Sequence, residues 1–160
     1  MIEVEGLDDL EHALSRLAGE VSQDTLAYYG KRHMSTKVEK EAKILVRKRT
    51  RTLQRSITTQ AVKTADGVEI RTGTNMEYAR FLEYGTGRAG AESGIEPPAD
   101  YQYGPSPGMG PKPYLRPAWD KEKNRVLSGL IEDLDEIVSR VAASRWDSGV
   151  YLLAQDAGGD

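Results

Sequence analysis

The sequence predicts a small α+β domain, and three observations carry that prediction. Apolar residues recur at three- and four-residue steps near both ends, the period of amphipathic helices. Between them the period drops to two, and turn residues separate two β-prone runs. A glycine-rich stretch holding six of the seven prolines then precedes the last helical pattern. The predicted order is a long N-terminal helix, a small antiparallel sheet, a short helix, a long irregular loop and a long C-terminal helix.

The first helical region runs from residue 8 to about 46, as one helix or two. Leu7, Leu10, Leu14, Leu17 and Val21 share a face, and the spacing resumes with Met34, Val38, Ala42 and Leu45. Asp8 or Asp9 is expected to cap the start, because a short carboxylate accepts the free amide hydrogens of a first turn. Gly19 and Gly30 each weaken a helix by roughly 1 kcal/mol, and a break is expected near Gly30. In the middle third, Ile57, Thr59, Ala61 and Lys63 fall on one side of a strand over residues 56–63. Ala65-Asp66-Gly67 supplies turn chemistry, after which Val68, Ile70 and Thr72 alternate with Glu69, Arg71 and Gly73. The result is a hairpin with one wet face. Two or three strands are marginal alone, so either Ile2-Glu3-Val4 adds a strand or neighbouring subunits cover the edge.

A short helix is expected near Met76–Tyr84, capped by Asn75, with Tyr78, Phe81 and Leu82 inward and Gly85 ending it. Residues 85–113 are expected to form an extended arm without a packed core of its own. The last helix begins around Pro117, since proline suits a first turn. Trp119, Lys123, Leu127, Leu130, Leu134, Ile137 and Val141 trace its stripe, widened by Ile131 and Val138, until the pattern dissolves after Arg145. Residues 1–145 therefore read as one domain with an extended loop at 85–113, and 146–160 as a C-terminal tail. Both long helices are expected to pack on one face of the sheet.

Composition narrows the function classes. A chain of 160 residues, 38% hydrophobic and 29% charged, fits one core. No run of 18 apolar residues is present, so no membrane partner is expected, and the acidic start lacks the pattern of a secretory signal. Synthesis in the cytoplasm is the expectation. Cysteine is absent, which excludes disulfides, thiol nucleophiles and cysteine-held metals.

Candidate chemistry is sparse. His12 and His33 lie in no metal-type spacing and are expected at the surface or its boundary. Glu132, Asp133, Asp135 and Glu136 are expected on the solvated face of the last helix. Gly85-Thr86-Gly87-Arg88-Ala89-Gly90 superficially resembles a dinucleotide loop, but it follows a helix and precedes proline-rich chain. No catalytic, cofactor-binding or metal residue is nominated, and no enzyme activity or cofactor is expected. The sharpest charge feature holds Lys43, Arg47, Lys48, Arg49, Arg51 and Arg55 with no acid among them. It suits a solvated helix end, an acidic patch on another subunit, or phosphate backbones contacted without specificity. Of the aromatic-proline elements, Phe81, Leu115 and Trp119 are expected in the local core. Arg88, Tyr101, Tyr103 and Arg116 are expected either at an interface or simply exposed.

Four segments in order resemble the HK97 gp10-like phage protein family. Val4-Glu5-Gly6-Leu7-Asp8-Asp9-Leu10 is similar to its glycine-leucine entry into a long helix. Thr50-Arg51-Thr52-Leu53-Gln54-Arg55-Ser56-Ile57 resembles its threonine-glycine-x-leucine, basic, serine-isoleucine motif. Tyr78-Ala79-Arg80-Phe81-Leu82-Glu83-Tyr84-Gly85-Thr86 resembles its tyrosine-alanine to glutamate-aromatic-glycine-threonine block, and Lys112-Pro113-Tyr114-Leu115-Arg116-Pro117-Ala118 its return into the last helix. The resemblance spans roughly residues 4 to 145. One departure stands out, because Arg51 occupies a position where the family pattern usually has glycine.

The resemblance implies a structural virion protein of a tailed phage, which completes or joins the tail at the head-proximal end. It also implies a homo-oligomeric ring, preferably hexameric, among neck, tail terminator or tail tube proteins, with genome DNA passing through the lumen. Alternatives are a small DNA-binding protein with a basic patch, or a tail terminator or head-tail adaptor at another ring of the neck.

Overall fold

The computed structural model describes residues 7–46 and 51–156. The periodicity of the first third resolves into α1 (Leu7–Glu20), α2 (Gln23–Met34) and α3 (Lys40–Leu45), with a π-helical turn (Ser35–Glu39) joining the last two. The break falls at Val21-Ser22 and not near Gly30. Ser22 leaves helical backbone, and its hydroxyl accepts the Thr25 amide at 3.3 Å, capping α2. Gly30 instead stays helical and buried, because α2 approaches the hairpin there: a Cβ would lie 2.8 Å from Ile70 Cγ1. Asp8 and Asp9 sit inside the first turn of α1 and are not its cap residue. In the π turn, the Ser35 and Thr36 hydroxyls donate to the Arg32 carbonyl at 3.1 and 2.7 Å, competing with the regular ladder.

After α4 (Thr52–Ser56), β1 (Thr58–Thr64) and β2 (Gly67–Gly73) pair antiparallel, with Thr58 opposite Gly73 and Thr64 opposite Gly67. Ala65 and Asp66 make the turn, as their chemistry suggested. The alternation also holds. Ile57 and Thr59 are buried, Ala61, Val68, Ile70 and Thr72 are half-buried, and the intervening residues face water. The Thr59 and Thr72 hydroxyls meet at 2.9 Å across this inner face. Among the described residues the sheet has these two strands, and Ile2-Glu3-Val4 lie outside them.

The chain continues through α5 (Ala79–Tyr84) and α6 (Gly87–Ala91) to α7 (Leu115–Asp156), whose 42 residues span about 63 Å. α7 starts before Pro117 and its backbone stays helical past Arg145. The layering differs from two helices side by side on a sheet. α2 and the π turn cover the hairpin, while α7 packs mainly on α1, α2, the π turn and α3. α2 is therefore the middle layer, with Gly30 towards the hairpin and His33 towards α7.

Polar links fix α7 antiparallel to this layer. Lys121 Nζ meets Glu41 Oε1 at 2.7 Å, Lys37 Nζ donates to the Arg125 carbonyl, and His33 Nε2 meets Asp133 Oδ2 at 2.6 Å. His33 is thus buried instead of at the surface, and Asp133 is drawn off the solvated face to pair with it. His12 is exposed. Gly129 makes the close packing possible, since a Cβ there would lie 2.7 Å from His33 Nδ1 and 2.9 Å from Lys37 Nζ.

Candidate assembly interface

The first turn of a helix leaves amide hydrogens with no upstream carbonyl, and α7 begins in the interior of the domain. Glu83, buried on α5, takes all three that exist. Its Oε2 accepts from the Tyr114 and Leu115 amides at 2.9 and 3.1 Å, and its Oε1 from the Arg116 amide at 2.9 Å. Pro117 has no N–H to satisfy, and Ala118 makes the first internal bond, to the Tyr114 carbonyl at 3.3 Å. Every donor of the turn is therefore accounted for, with negative charge at the positive end of the helix dipole. Two blocks noted in the sequence, one ending in Glu83-Tyr84-Gly85-Thr86 and one beginning Lys112-Pro113-Tyr114, are thus halves of a single joint.

This joint sets how α5 is rotated. To reach α7, Glu83 must point inward, and Ala79, one turn earlier, points with it. Leu82 packs against the core, whereas Tyr78 and Phe81 are left exposed, contrary to the inward placement read from their spacing. Asn75 does not cap α5. Tyr78 holds that position without a side-chain bond, while the Thr74 hydroxyl accepts the Met76 amide at 3.2 Å. Trp119 is likewise exposed and not in the core, because Ala118 and Glu122 occupy the inward positions of α7. Leu115 is half-buried against the core. Tyr114 is 1% exposed, and its hydroxyl has no hydrogen-bond partner among the described residues. Burial, reinforced by the nearby Glu83 carboxylate, pushes its phenol up to about 12.

Residues 85–113 are more ordered than an arm without a core. Gly85 has φ +80°, and a Cβ there would lie 2.7 Å from the Met109 carbonyl oxygen, so the chain can turn and return at this point only with glycine. Thr86 and Met109 exchange amide bonds at 2.8 and 3.1 Å, and the Thr86 hydroxyl also accepts the Met109 amide at 2.9 Å. Tyr101 is buried, its hydroxyl donating to the Gly85 carbonyl, and its ring lies 5.3–6.1 Å from those of Phe81, Tyr84 and Tyr103. Tyr103 is half-buried, and its hydroxyl reaches the Tyr84 and Ile95 carbonyls at 3.3 Å. The tyrosines nominated for an interface thus build a local core. Arg88 and Arg116 remain exposed, the latter with its guanidinium 6.0 Å from the Tyr84 ring centre.

The basic corner is partly described. Arg47, Lys48, Arg49 and Thr50 lie outside the described residues. Gln54 Nε2 donates to the Lys43 carbonyl at 2.6 Å, docking α4 on the end of α3. Arg51 and Arg55 are exposed, and no ion pair of either is found among the described residues. Arg51 is in the left-handed region at φ +58°, the one non-glycine residue there among those described. The family pattern's glycine at this position has a physical reason.

The feature not read from the sequence is an uncovered apolar strip on α7. Leu127, Ile131 and Val138 are 54%, 58% and 47% exposed, while Val126 and Ile137 are buried. The predicted stripe is wider than the helix's contact surface, so only part of it faces inward. Ile44 and Leu45 beside the basic corner are also exposed, at 56% and 43%. Among the described residues no group of three or more His, Cys, Asp or Glu is placed to hold a metal ion. No helix among them is long and apolar enough to cross a membrane.

What these features define is a small α+β domain with a partly described basic corner and an exposed apolar strip on its last helix. Residues 7–85, just under half of the chain, match the HK97-gp10-like family model, described as "Bacteriophage HK97-gp10, putative tail-component". The match supports membership of a phage tail-component family. It ends at Gly85, so the Lys112–Ala118 block lies beyond it. No curated protein and no solved structure matches the chain.

Proposed function

We propose that the chain is a non-enzymatic structural protein of a tailed-phage virion, located in the neck or head-proximal tail. There it completes or joins the tail as a subunit of a ring, with a hexamer preferred. The observation that carries the reading is the tail-component family match over residues 7–85. The surfaces support it: the basic corner, the two-stranded sheet and the uncovered strip of α7 all suit contacts between subunits. Neighbouring neck, tail terminator or tail tube proteins are the partners, and the basic corner faces either such a neighbour or DNA in the lumen. Deleting the gene is the test. Infected cells lacking the chain should accumulate filled heads and tails that fail to join, or tails of aberrant length. Normal particles formed without it would overturn the proposal.

A further inference from the structure

Two separate surfaces of this chain carry opposite charge, each around apolar side chains left in water. On α7, residues 130–138 hold Glu132, Asp133, Asp135 and Glu136 and no lysine or arginine, alongside exposed Leu127, Ile131 and Val138. Asp133 is committed to His33, but Glu132 and Asp135 have no ion pair among the described residues. At the other surface, Arg51 and Arg55 are exposed with no ion pair among the described residues, beside exposed Ile44 and Leu45, while Lys43 is committed to Glu39.

One copy cannot bring these surfaces together. α3 meets α7 at the Glu41–Lys121 pair, and Asp135 lies fourteen residues further along the helix, about 21 Å away. We propose that the acidic-apolar strip of α7 docks on the basic-apolar corner of a second copy, head to tail. Leu127, Ile131 and Val138 meet Ile44 and Leu45 at the centre of this contact, and Glu132 and Asp135 meet Arg51 and Arg55 at its rim. Because the two patches differ, each copy offers one of each, and repetition closes a ring when the rotation per copy divides a full turn without translation. The inference rests on the ring reading above and adds the pair of faces that builds it. Opposite charges steer the encounter and fix its register, and like charges at the same place oppose it.

The test uses the purified full chain in sedimentation velocity at low salt, with circular dichroism as the folding control. Glu132→Lys with Asp135→Lys puts two lysines on the α7 strip against the basic corner, and Arg51→Glu with Arg55→Glu puts two acids at the corner rim against the unchanged acidic strip. Each double variant alone should associate at least about tenfold more weakly than the parent chain. An equal mixture should recover association, since each face then finds its opposite in the other variant. Folded reversal variants that associate like the parent, or a mixture that stays apart, would overturn the proposal. If the parent itself stays monomeric, cross-linking decides, helped by the absence of native cysteine. Arg55→Cys with Asp135→Cys should give an oxidised ladder at high concentration, and Asp66→Cys with Asp135→Cys should not. A ladder no stronger than the control sinks the contact. The same reversals carried into phage separate the two claims. Chain retained in particles despite failed docking removes this contact alone, whereas parent chain missing from particles removes the virion reading and leaves the docking result standing.

Discussion

Replacing Glu83 by glutamine keeps the shape of the side chain and removes its charge. The carboxylate accepts three amide hydrogens with two oxygens. A glutamine oxygen can keep one or two of them, and the amide nitrogen, a donor, must then face an amide hydrogen. One buried donor left without an acceptor costs about 1–3 kcal/mol. Loss of the negative charge at the helix N-terminus adds up to about 2 kcal/mol in a partly buried site. The expected destabilisation is about 2–4 kcal/mol, a fall in Tm of about 5–15 °C for a chain of this size. Denaturant unfolding followed by circular dichroism measures the total, and hydrogen exchange at Tyr114, Leu115 and Arg116 localises it. A change below about 0.5 kcal/mol, with exchange at those amides unaltered, would refute the reasoning.

Tyr114→Phe should be neutral or stabilising by about 1 kcal/mol, because the buried hydroxyl it removes has no partner among the described residues. The same variant bears on pH. The folded phenol, raised to about 12, holds its proton more tightly than the unfolded one near 10. Stability is therefore full below pH 10 and falls as pH rises towards 12, by roughly 2 kcal/mol, and the Phe variant should lose that part of the alkaline decline in a pH series of denaturation curves. Arg51→Gly should raise stability by about 0.5–1 kcal/mol, since relief of left-handed strain outweighs the added freedom of the unfolded chain, whereas Arg51→Val should lower it. Thermal melts of the two variants decide the sign. Gly129→Ala should cost about 1–2 kcal/mol although alanine favours helix, because its methyl group collides with His33. NMR of the His33 imidazole should shift with it.

Where structure follows from neighbours in sequence, it was legible. The hairpin was, because the Ile57-to-Thr72 alternation and the Ala65-Asp66-Gly67 turn are local. Gly85 was too, as the end of α5. The Arg51 departure from the family glycine marked the position that the structure shows at positive φ. What could not be read depends on residues brought together from far apart. Glu83 meets the start of α7 across 31 residues, and His33 meets Asp133 across 100. Neither spacing leaves a periodic trace. The packing of Tyr101 follows from the return of the chain to Gly85, and the exposure of Phe81 from the rotation that Glu83 imposes. Periodicity counted the apolar residues of α7 correctly and yet could not tell which lie inward, since helix width and not spacing decides that. The basic corner was plain in the sequence, but the apolar strip of α7 became visible only once Val126 and Ile137 were seen to face the domain and Leu127, Ile131 and Val138 the solvent.

The central claim, that this chain is a structural part of the virion, is tested most directly by imaging purified particles with the chain labelled at its C-terminus. The account predicts label in a ring of copies at the head-proximal end of the tail. Particles and assembly intermediates that carry no label, from cells that express the tagged chain normally, would contradict it.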